Sequence, residues 1–163
     1  MQELGLWPAW VPRERAVAPP APAPEAALEG RPGSRAERIA RMDWPALKEA
    51  VRTCAICPLH AARKQAVFGV GDAQADWLFV GEGPGAEEDA RGEPFVGQAG
   101  RLLDAMLAAI GLQRGRDVYI ANIVKCRPPG NRVPAPPEAA ACEPFLLRQI
   151  ALIRPRLVVA LGK

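Results

Sequence analysis

Blocks of apolar residues alternate with polar turns along the chain, and their spacing predicts strands and helices in turn. "DWLFVG" at 76–81 is a short apolar run between turn formers, which is typical of a buried strand. "DVYIANIVKC" at 117–126 and "RLVVALG" at 156–162 predict two further strands. Apolar residues recur at helical spacing in "RLLDAMLAAIG" (101–111) and "PPEAAACEPFLLRQIALIRP" (136–155), which predicts a helix between each pair of strands.

The order strand, helix, strand, helix, strand indicates an α/β fold. We expect a three-layer α/β/α architecture with a central parallel sheet, because the helices between parallel strands cover the two faces of the sheet. Functional loops in such folds follow the carboxyl ends of the strands. The sequence stops at Lys163, directly after the third strand, so we expect the C-terminal part of the fold to be missing.

The first 43 residues differ in composition from the rest. They include the Pro/Ala-rich run "AVAPPAPAPEAALEG", which offers too little apolar surface to offset the entropy of ordering it. We therefore predict a flexible extension over residues 1–43 and a folded domain over 44–163. Trp7 and Trp10 precede the run, either as a docking motif or as the remains of a helix.

Composition narrows the class of protein. Of the 163 residues, 49% are hydrophobic and 24% are charged, and no apolar run is long enough for a membrane span. We expect a monomer in the cytoplasm. Thiols stay reduced in that compartment, where they serve metal binding or catalysis. The net charge is +3, with basic residues concentrated towards the C-terminus. That distribution is compatible with a polyanionic partner, and ordinary surface charge is the alternative.

Four cysteines form two pairs with different spacing. Cys54 and Cys57 form a Cys-x2-Cys turn, and fifteen residues separate Cys126 from Cys142. Four soft ligands suit zinc or an iron–sulfur cluster. The alternative is four unrelated buried thiols, because a single Cys-x2-Cys pair also occurs by chance.

A glycine-rich loop follows the first predicted strand. "GEGPGAEEDARGEPFVGQAG" at 81–100 lacks the pattern of a dinucleotide or Walker site, and we predict no regular structure before a helix near Ala99. A loop of this length is usually functional. Its acidic residues are either a solvated turn or include a base that activates water; the candidates are Glu82, Glu87, Glu88 and Asp89.

Two further residues are candidates for contact with a planar ligand. Phe95 lies in the glycine-rich loop, where it either plugs the core or stacks on a base. Asn122 ends an apolar strand, and its amide either ties down a loop or pairs with a base edge. His60, the single histidine, is expected to be a surface residue, and no Ser/His/Asp set can be assembled from this chain.

Together these segments resemble the iron–sulfur (family-4 type) uracil-DNA glycosylases. The resemblance covers residues 44–163 and is carried by "CAICPL", "VFGVGDAQADWLFVGEGPGAEEDARGEPFVGQAGRLLDAML", "YIANIVKCRPPGNRVPAPPEAAAC" and "LVVALGK". It implies hydrolysis of the N-glycosidic bond of uracil in DNA, after the uracil has been flipped out of the duplex. It also implies a structural [4Fe–4S] cluster held by Cys54, Cys57, Cys126 and Cys142.

The resemblance also assigns roles to the remaining candidates. It implies that Glu82 and Gly83 lie at the sugar and the attacking water, and that Glu88 excludes the thymine methyl group at the uracil C5 edge. Phe95 would stack on the flipped base, and Asn122 would pair with its amide edge. The loop between the second pair of cysteines would meet DNA phosphates through Arg127, Asn131 and Arg132.

The family's second motif, a His-Pro pair that contacts the leaving uracil, has no counterpart in this sequence. His60 does not match it, so we expect little or no activity from residues 1–163 alone. The alternative function is a non-catalytic iron–sulfur module that binds DNA, or an inactive fragment. In either case uracil-containing DNA is the expected partner, no membrane is involved, and the N-terminal tail is a candidate contact for a replication or repair protein.

Overall fold

The structure is a computed structural model, and it describes residues 33–162. Five α-helices and four strands form this part of the chain. In chain order they are α1 (Arg35–Ala40), α2 (Trp44–Arg52), β1 (Val70–Gly71), β2 (Trp77–Gly81), α3 (Ala86–Arg91), α4 (Gln98–Ala109), β3 (Val118–Asn122), α5 (Pro136–Ile153) and β4 (Leu157–Ala160).

The strands form one sheet in the order β1-β3-β2-β4. The three predicted strands, β2, β3 and β4, are parallel to one another, which confirms the parallel centre of the predicted fold. Strand β1 pairs antiparallel with β3 at one edge, with Val70 opposite Ile120. It was not predicted, because two residues are too few to show an alternating pattern.

Helices cover both faces of the sheet, as the α/β/α prediction requires. On one face, Leu103 and Leu107 of α4 pack against Phe79 and Ile120. On the other face, the C-terminal half of α5 packs against the strand residues whose side chains point away from α4. The buried residues there are Leu78, Val80, Tyr119, Ala121 and Ile153. Both faces of β2 and β3 are therefore buried, which explains their continuous apolar sequences.

The glycine-rich loop contains a helix that the sequence analysis did not predict. Helix α3 begins at Ala86, directly after Gly85, so the expectation of no regular structure before residue 99 is wrong. Three of the four acidic candidates, Glu87, Glu88 and Asp89, lie in its first turn, where their negative charge interacts favourably with the positive end of the helix dipole. The helix has only six residues, too few to show a helical repeat of apolar positions.

The ordered domain begins earlier than residue 44. Ser34 accepts a hydrogen bond from the Glu37 amide at 3.2 Å and caps α1, and Ile39 is only 3% exposed in the core below α5. Helix α1 therefore belongs to the same compact unit as the sheet, which runs from Pro32 to Lys163. Trp7, Trp10 and the Pro/Ala-rich run lie outside the described residues.

Helix α2 begins where the sequence predicts. The Asp43 carboxylate accepts a hydrogen bond from the Ala46 amide at 2.9 Å, and Pro45 lies in the first turn. Within residues 33–162, every helix is too short or too polar to cross a lipid bilayer.

Candidate functional site

The candidate site lies at the carboxyl ends of β2 and β3. Gly81 is paired with Asn122 in the last register of these two parallel strands. The pairing continues into the loops, because the Ile123 amide donates to the Gly81 carbonyl at 2.8 Å and the Val124 amide to the Glu82 carbonyl at 3.1 Å. The two segments that the sequence analysis singled out are therefore held side by side.

Phe95 and Asn122 meet at Gly81. A Cβ atom added to Gly81 would lie 2.5 Å from the Asn122 Oδ1 atom and 2.5 Å from the Phe95 Cζ atom. Asn122 is buried and Phe95 is half-buried. The absence of a side chain at Gly81 is what allows an aromatic ring and an amide to share one place at the end of the sheet.

The backbone of Phe95 is held in an unusual conformation. Its φ angle is +54°, a value that residues other than glycine rarely adopt and that tends to occur at functional sites. The Arg114 guanidinium donates to the Pro94 carbonyl at 2.9 Å and to the Phe95 carbonyl at 2.8 Å, and it also pairs with Asp104 at 2.7 Å. The sequence carried no signal for Arg114, which comes from a turn nineteen residues later.

Glu88 holds the same loop from the other side. Its carboxylate accepts hydrogen bonds from the amides of Gly85 at 3.1 Å, Val96 at 3.0 Å and Gly97 at 3.1 Å. These bonds tie α3 to the segment that follows Phe95. The neighbouring Asp89 is buried and accepts from the Lys64 amide at 2.8 Å, so it fastens α3 to the preceding loop.

Glu82 is exposed beside the glycine-rich turn. It lines a cavity of about 110 Å³ together with Gly83, Asn131 and Arg132. A Cβ atom on Gly83 would lie 2.8 Å from a Val124 methyl group, so the backbone there packs closely on the loop after β3. The candidate water-activating carboxylate and two candidate DNA contacts therefore line one cavity.

The loop between Cys126 and Cys142, called the basic loop below, is held by an ion pair. The guanidinium of Arg132 donates to both oxygens of Glu138, at 2.7 and 2.8 Å, and the Ala135 amide donates to the same carboxylate at 2.7 Å. Arg132 and this amide lower the pKa of Glu138 to about 2. Nearby, Arg127 Nε donates to Asn131 Oδ1 at 2.7 Å, so the three candidate DNA contacts also order the loop.

The four cysteines line one cavity, although they come from three separate parts of the chain. The described cysteines are all free thiols, and the cavity is formed by the turn after α2, the end of the β3 segment and the middle of α5. Among residues 33–162, no group of three or more His, Cys, Asp or Glu side chains is arranged closely enough for a single metal ion. His60 also lines the cavity, with its Nδ1 atom 2.7 Å from the Cys57 carbonyl oxygen.

Cationic and amide N–H groups point at the sulfur atoms. Arg63 Nη1 donates to Cys126 Sγ at 2.8 Å, and the Lys125 amide donates to Cys142 Sγ at 3.3 Å. Burial raises the pKa of Cys126, while the hydrogen bond from Arg63 lowers it. Burial raises the pKa of Cys142 to about 11, with Lys125 acting in the opposite direction. Burial leaves the pKa of both thiols raised overall, and the N–H groups of Arg63 and Lys125 are donors that a metal-bound thiolate would keep, so this donor set fits a thiolate-ligated metal group.

Comparison with known proteins identifies the family of this chain. Residues 68–163 match the family described as the uracil DNA glycosylase superfamily. The chain therefore belongs to that superfamily. A type-4 uracil-DNA glycosylase of Pyrobaculum aerophilum is 50% identical over 121 residues, and one of Thermotoga maritima is 54% identical over 116 residues.

The similarity covers different shares of the chain and its relatives. The aligned residues make up 74% of this chain and 61% of the Pyrobaculum protein, and 71% of this chain and 60% of the Thermotoga protein. The chain thus spans about three fifths of the length of these relatives. A type-5 uracil-DNA glycosylase of Thermus thermophilus is more distant, with 33% identity over 75% of this chain and 69% of its own length.

Proposed function

We propose that this protein is a uracil-DNA glycosylase that hydrolyses the N-glycosidic bond of uracil in DNA and that holds a structural [4Fe–4S] cluster. The observation that carries the proposal is the meeting of Phe95 and Asn122 at Gly81, at the carboxyl end of the sheet. An aromatic ring beside a buried amide suits a flipped base, which offers a flat face and a hydrogen-bonding edge. The type-4 relatives support uracil as that base.

The proposed reaction divides the work among three side chains. Phe95 stacks on the uracil ring, and Asn122 pairs with its amide edge, donating to O4 and accepting from N3–H. Glu82 orients a water molecule towards C1′ of the deoxyribose and takes up its proton. The water oxygen bonds to C1′ as the C1′–N1 bond breaks, and the bonding electron pair leaves with uracil N1. The Asn122 donor stabilises the charge that this pair spreads over the ring.

Glu88 and Arg114 have positioning roles in this proposal. Glu88 binds three backbone amides and Arg114 two carbonyls around Phe95, so the ring is in place before the base arrives. Because the ring is already ordered, base binding loses less free energy to the ordering of the loop. The carboxyl group of Glu88 would also border the C5 edge of uracil, where it excludes the methyl group of thymine.

The cluster would be held by the four thiols that line one cavity, those of Cys54, Cys57, Cys126 and Cys142. When bound, it would supply structural cross-linking of the loops rather than chemistry on the substrate. Cys126 and Cys142 flank the basic loop, so fixing both ends presents Arg127 and Arg132 to the DNA backbone.

The test is release of free uracil from an oligonucleotide with one uracil, using the full gene product and a thymine-containing control. We expect excision of uracil and not of thymine. Asn122→Ala should lower the rate by about 100-fold or more, as the loss of comparable transition-state donors does, and should leave the iron content unchanged. An iron-loaded protein that binds this DNA without releasing uracil would instead favour the non-catalytic module.

A further inference from the structure

Lys125 is a cation in the interior of the protein. It is 1% exposed and has the largest side chain among the fully buried residues of the part of the chain described here. It directly precedes Cys126, and its amide donates to the sulfur of Cys142. Burial of an ammonium group is costly unless a partner compensates its charge, so this residue needs a physical explanation.

The ammonium group of Lys125 has two neutral partners. It donates to the backbone carbonyl of Asn122 at 2.8 Å and to Gln149 Oε1 at 2.6 Å. Gln149 is itself fully buried, and its amide donates to the Phe68 carbonyl at 2.9 Å. Across residues 33–162, Lys125 takes part in no ion pair with a carboxylate. Two of its three N–H donors are thus bonded to neutral acceptors, which leaves its charge without a counterion.

The missing negative charge can come from the thiol cavity. Lys125 lines the same cavity as the four cysteines. A cluster ligated by four thiolates carries net negative charge, and net charge and hydrogen bonds at the sulfur atoms set its reduction potential. The protein thus places one buried cation between this cavity and the residue that would read the uracil.

We propose that Lys125 is a positioning residue whose ammonium group compensates the charge of the cluster and fixes the backbone of Asn122. The inference rests on the function proposed above. With the cluster in place, the ammonium group is retained in the interior and its bond to the Asn122 carbonyl holds the amide at the base edge. Without the cluster, the buried cation has no counterion and that bond is weakened. Lys125 therefore couples the cluster to base recognition.

Lys125→Met in the full gene product tests the proposal, because methionine has similar length and no charge. We expect the midpoint potential of the cluster to become more negative, since removing a nearby cation disfavours the added electron. Uracil excision should fall about tenfold, as expected for the loss of one hydrogen bond from a charged donor. Lys48→Met, which removes an exposed lysine from α2, is the matched control and should change neither quantity.

A second variant keeps the test valid if Lys125→Met does not fold. Gln149→Glu retains the lysine and gives it a carboxylate partner, which lowers the local charge by one. This variant should also shift the midpoint potential to a more negative value. Potentials equal to wild type in the variants that fold would overturn the proposal. A wild-type protein without iron, or one that releases no uracil, would instead contradict the proposed function.

Discussion

Gly81 lies where two candidate substrate-binding residues meet, so its hydrogen atom cannot be replaced without moving one of them. In Gly81→Ala, the new methyl group would lie 2.5 Å from both Asn122 Oδ1 and Phe95 Cζ. We expect uracil excision to fall by about 100-fold, because small displacements of positioning groups cost that much. The measurement is the single-turnover rate of uracil release.

Gly111→Ala is a useful control for this substitution. Gly111 has a φ angle of +76° and no atom within 4 Å of an added Cβ. Alanine there should lower thermal stability through backbone strain and leave excision unchanged. If Gly81→Ala excised uracil at the wild-type rate, Phe95 and Asn122 could not form the base site proposed here.

At the level of single residues, the sequence predicts the groups that lie next to glycine-rich or strand-end motifs. Phe95 and Asn122 became candidates for this reason. Arg114 and Lys125 did not, because their importance depends on contacts between residues that are distant in the sequence, Arg114 with Phe95 and Lys125 with Gln149. An arginine in a polar turn and a lysine after an apolar strand both resemble ordinary surface residues.

The loop that carries Phe95 behaves as one element with α3 and the turn at Arg114. Arg114→Met removes the donors to the Pro94 and Phe95 carbonyls, so the loop can relax from its left-handed conformation. We expect excision to fall by about tenfold to 100-fold, mainly through KM, since hydrogen bonds from a charged donor are lost. Arg116→Met is the control, because Arg116 pairs with the adjacent Asp117. A change in Arg114→Met no larger than in this control would contradict a positioning role.

The basic loop depends on the pair between Arg132 and Glu138. Glu138→Gln should speed amide hydrogen exchange and tryptic cleavage at Arg132, because a neutral amide cannot accept both guanidinium bonds and the Ala135 amide. Glu143→Gln, an exposed position on the same helix, should not do so. Equal exchange rates in the two variants would show that the ion pair does not order the loop.

The same pair has a defined pH dependence. The pKa of Glu138 is lowered from 4.5 to about 2, so its stabilising contribution is fully present above about pH 4.5. That contribution is lost as pH falls through 2. A carboxyl carbon titration followed by NMR should therefore give a midpoint near 2, and a midpoint close to 4.5 would contradict the ion pair.

At the level of elements, length decides what the sequence reveals. Helices α4 and α5 are long enough to show their periodicity, strands β2, β3 and β4 are recognisable as short apolar runs, and all five were predicted. Strand β1 has two residues and α3 has six, which is too short for a recognisable sequence pattern. Both form through contacts with residues elsewhere in the chain. Helix α1 was missed because it follows a low-complexity run, although Ser34 and Ile39 give it a cap and a buried position.

On the scale of the whole molecule, the thiol cavity connects α2, the loop after β3 and α5. Cys126→Ala should lower the iron content and reduce thermal stability, because the cluster that would link those elements loses one of its four ligands. Iron and acid-labile sulfide per chain, together with the melting temperature, measure this. Zinc in place of iron in the wild-type protein would contradict the predicted cluster. The family could be identified from sequence motifs, whereas the arrangement of the cavity required the folded chain.

The proposed function requires that a [4Fe–4S] cluster organises the site that excises uracil. The most direct measurement is uracil release by the full gene product as a function of cluster occupancy, from chelated apoprotein through graded reconstitution under anaerobic conditions. We predict that release rises in proportion to occupancy from near zero. Release that is independent of occupancy would show that the cluster does not organise the site, and no release at full occupancy would rule out a uracil-DNA glycosylase.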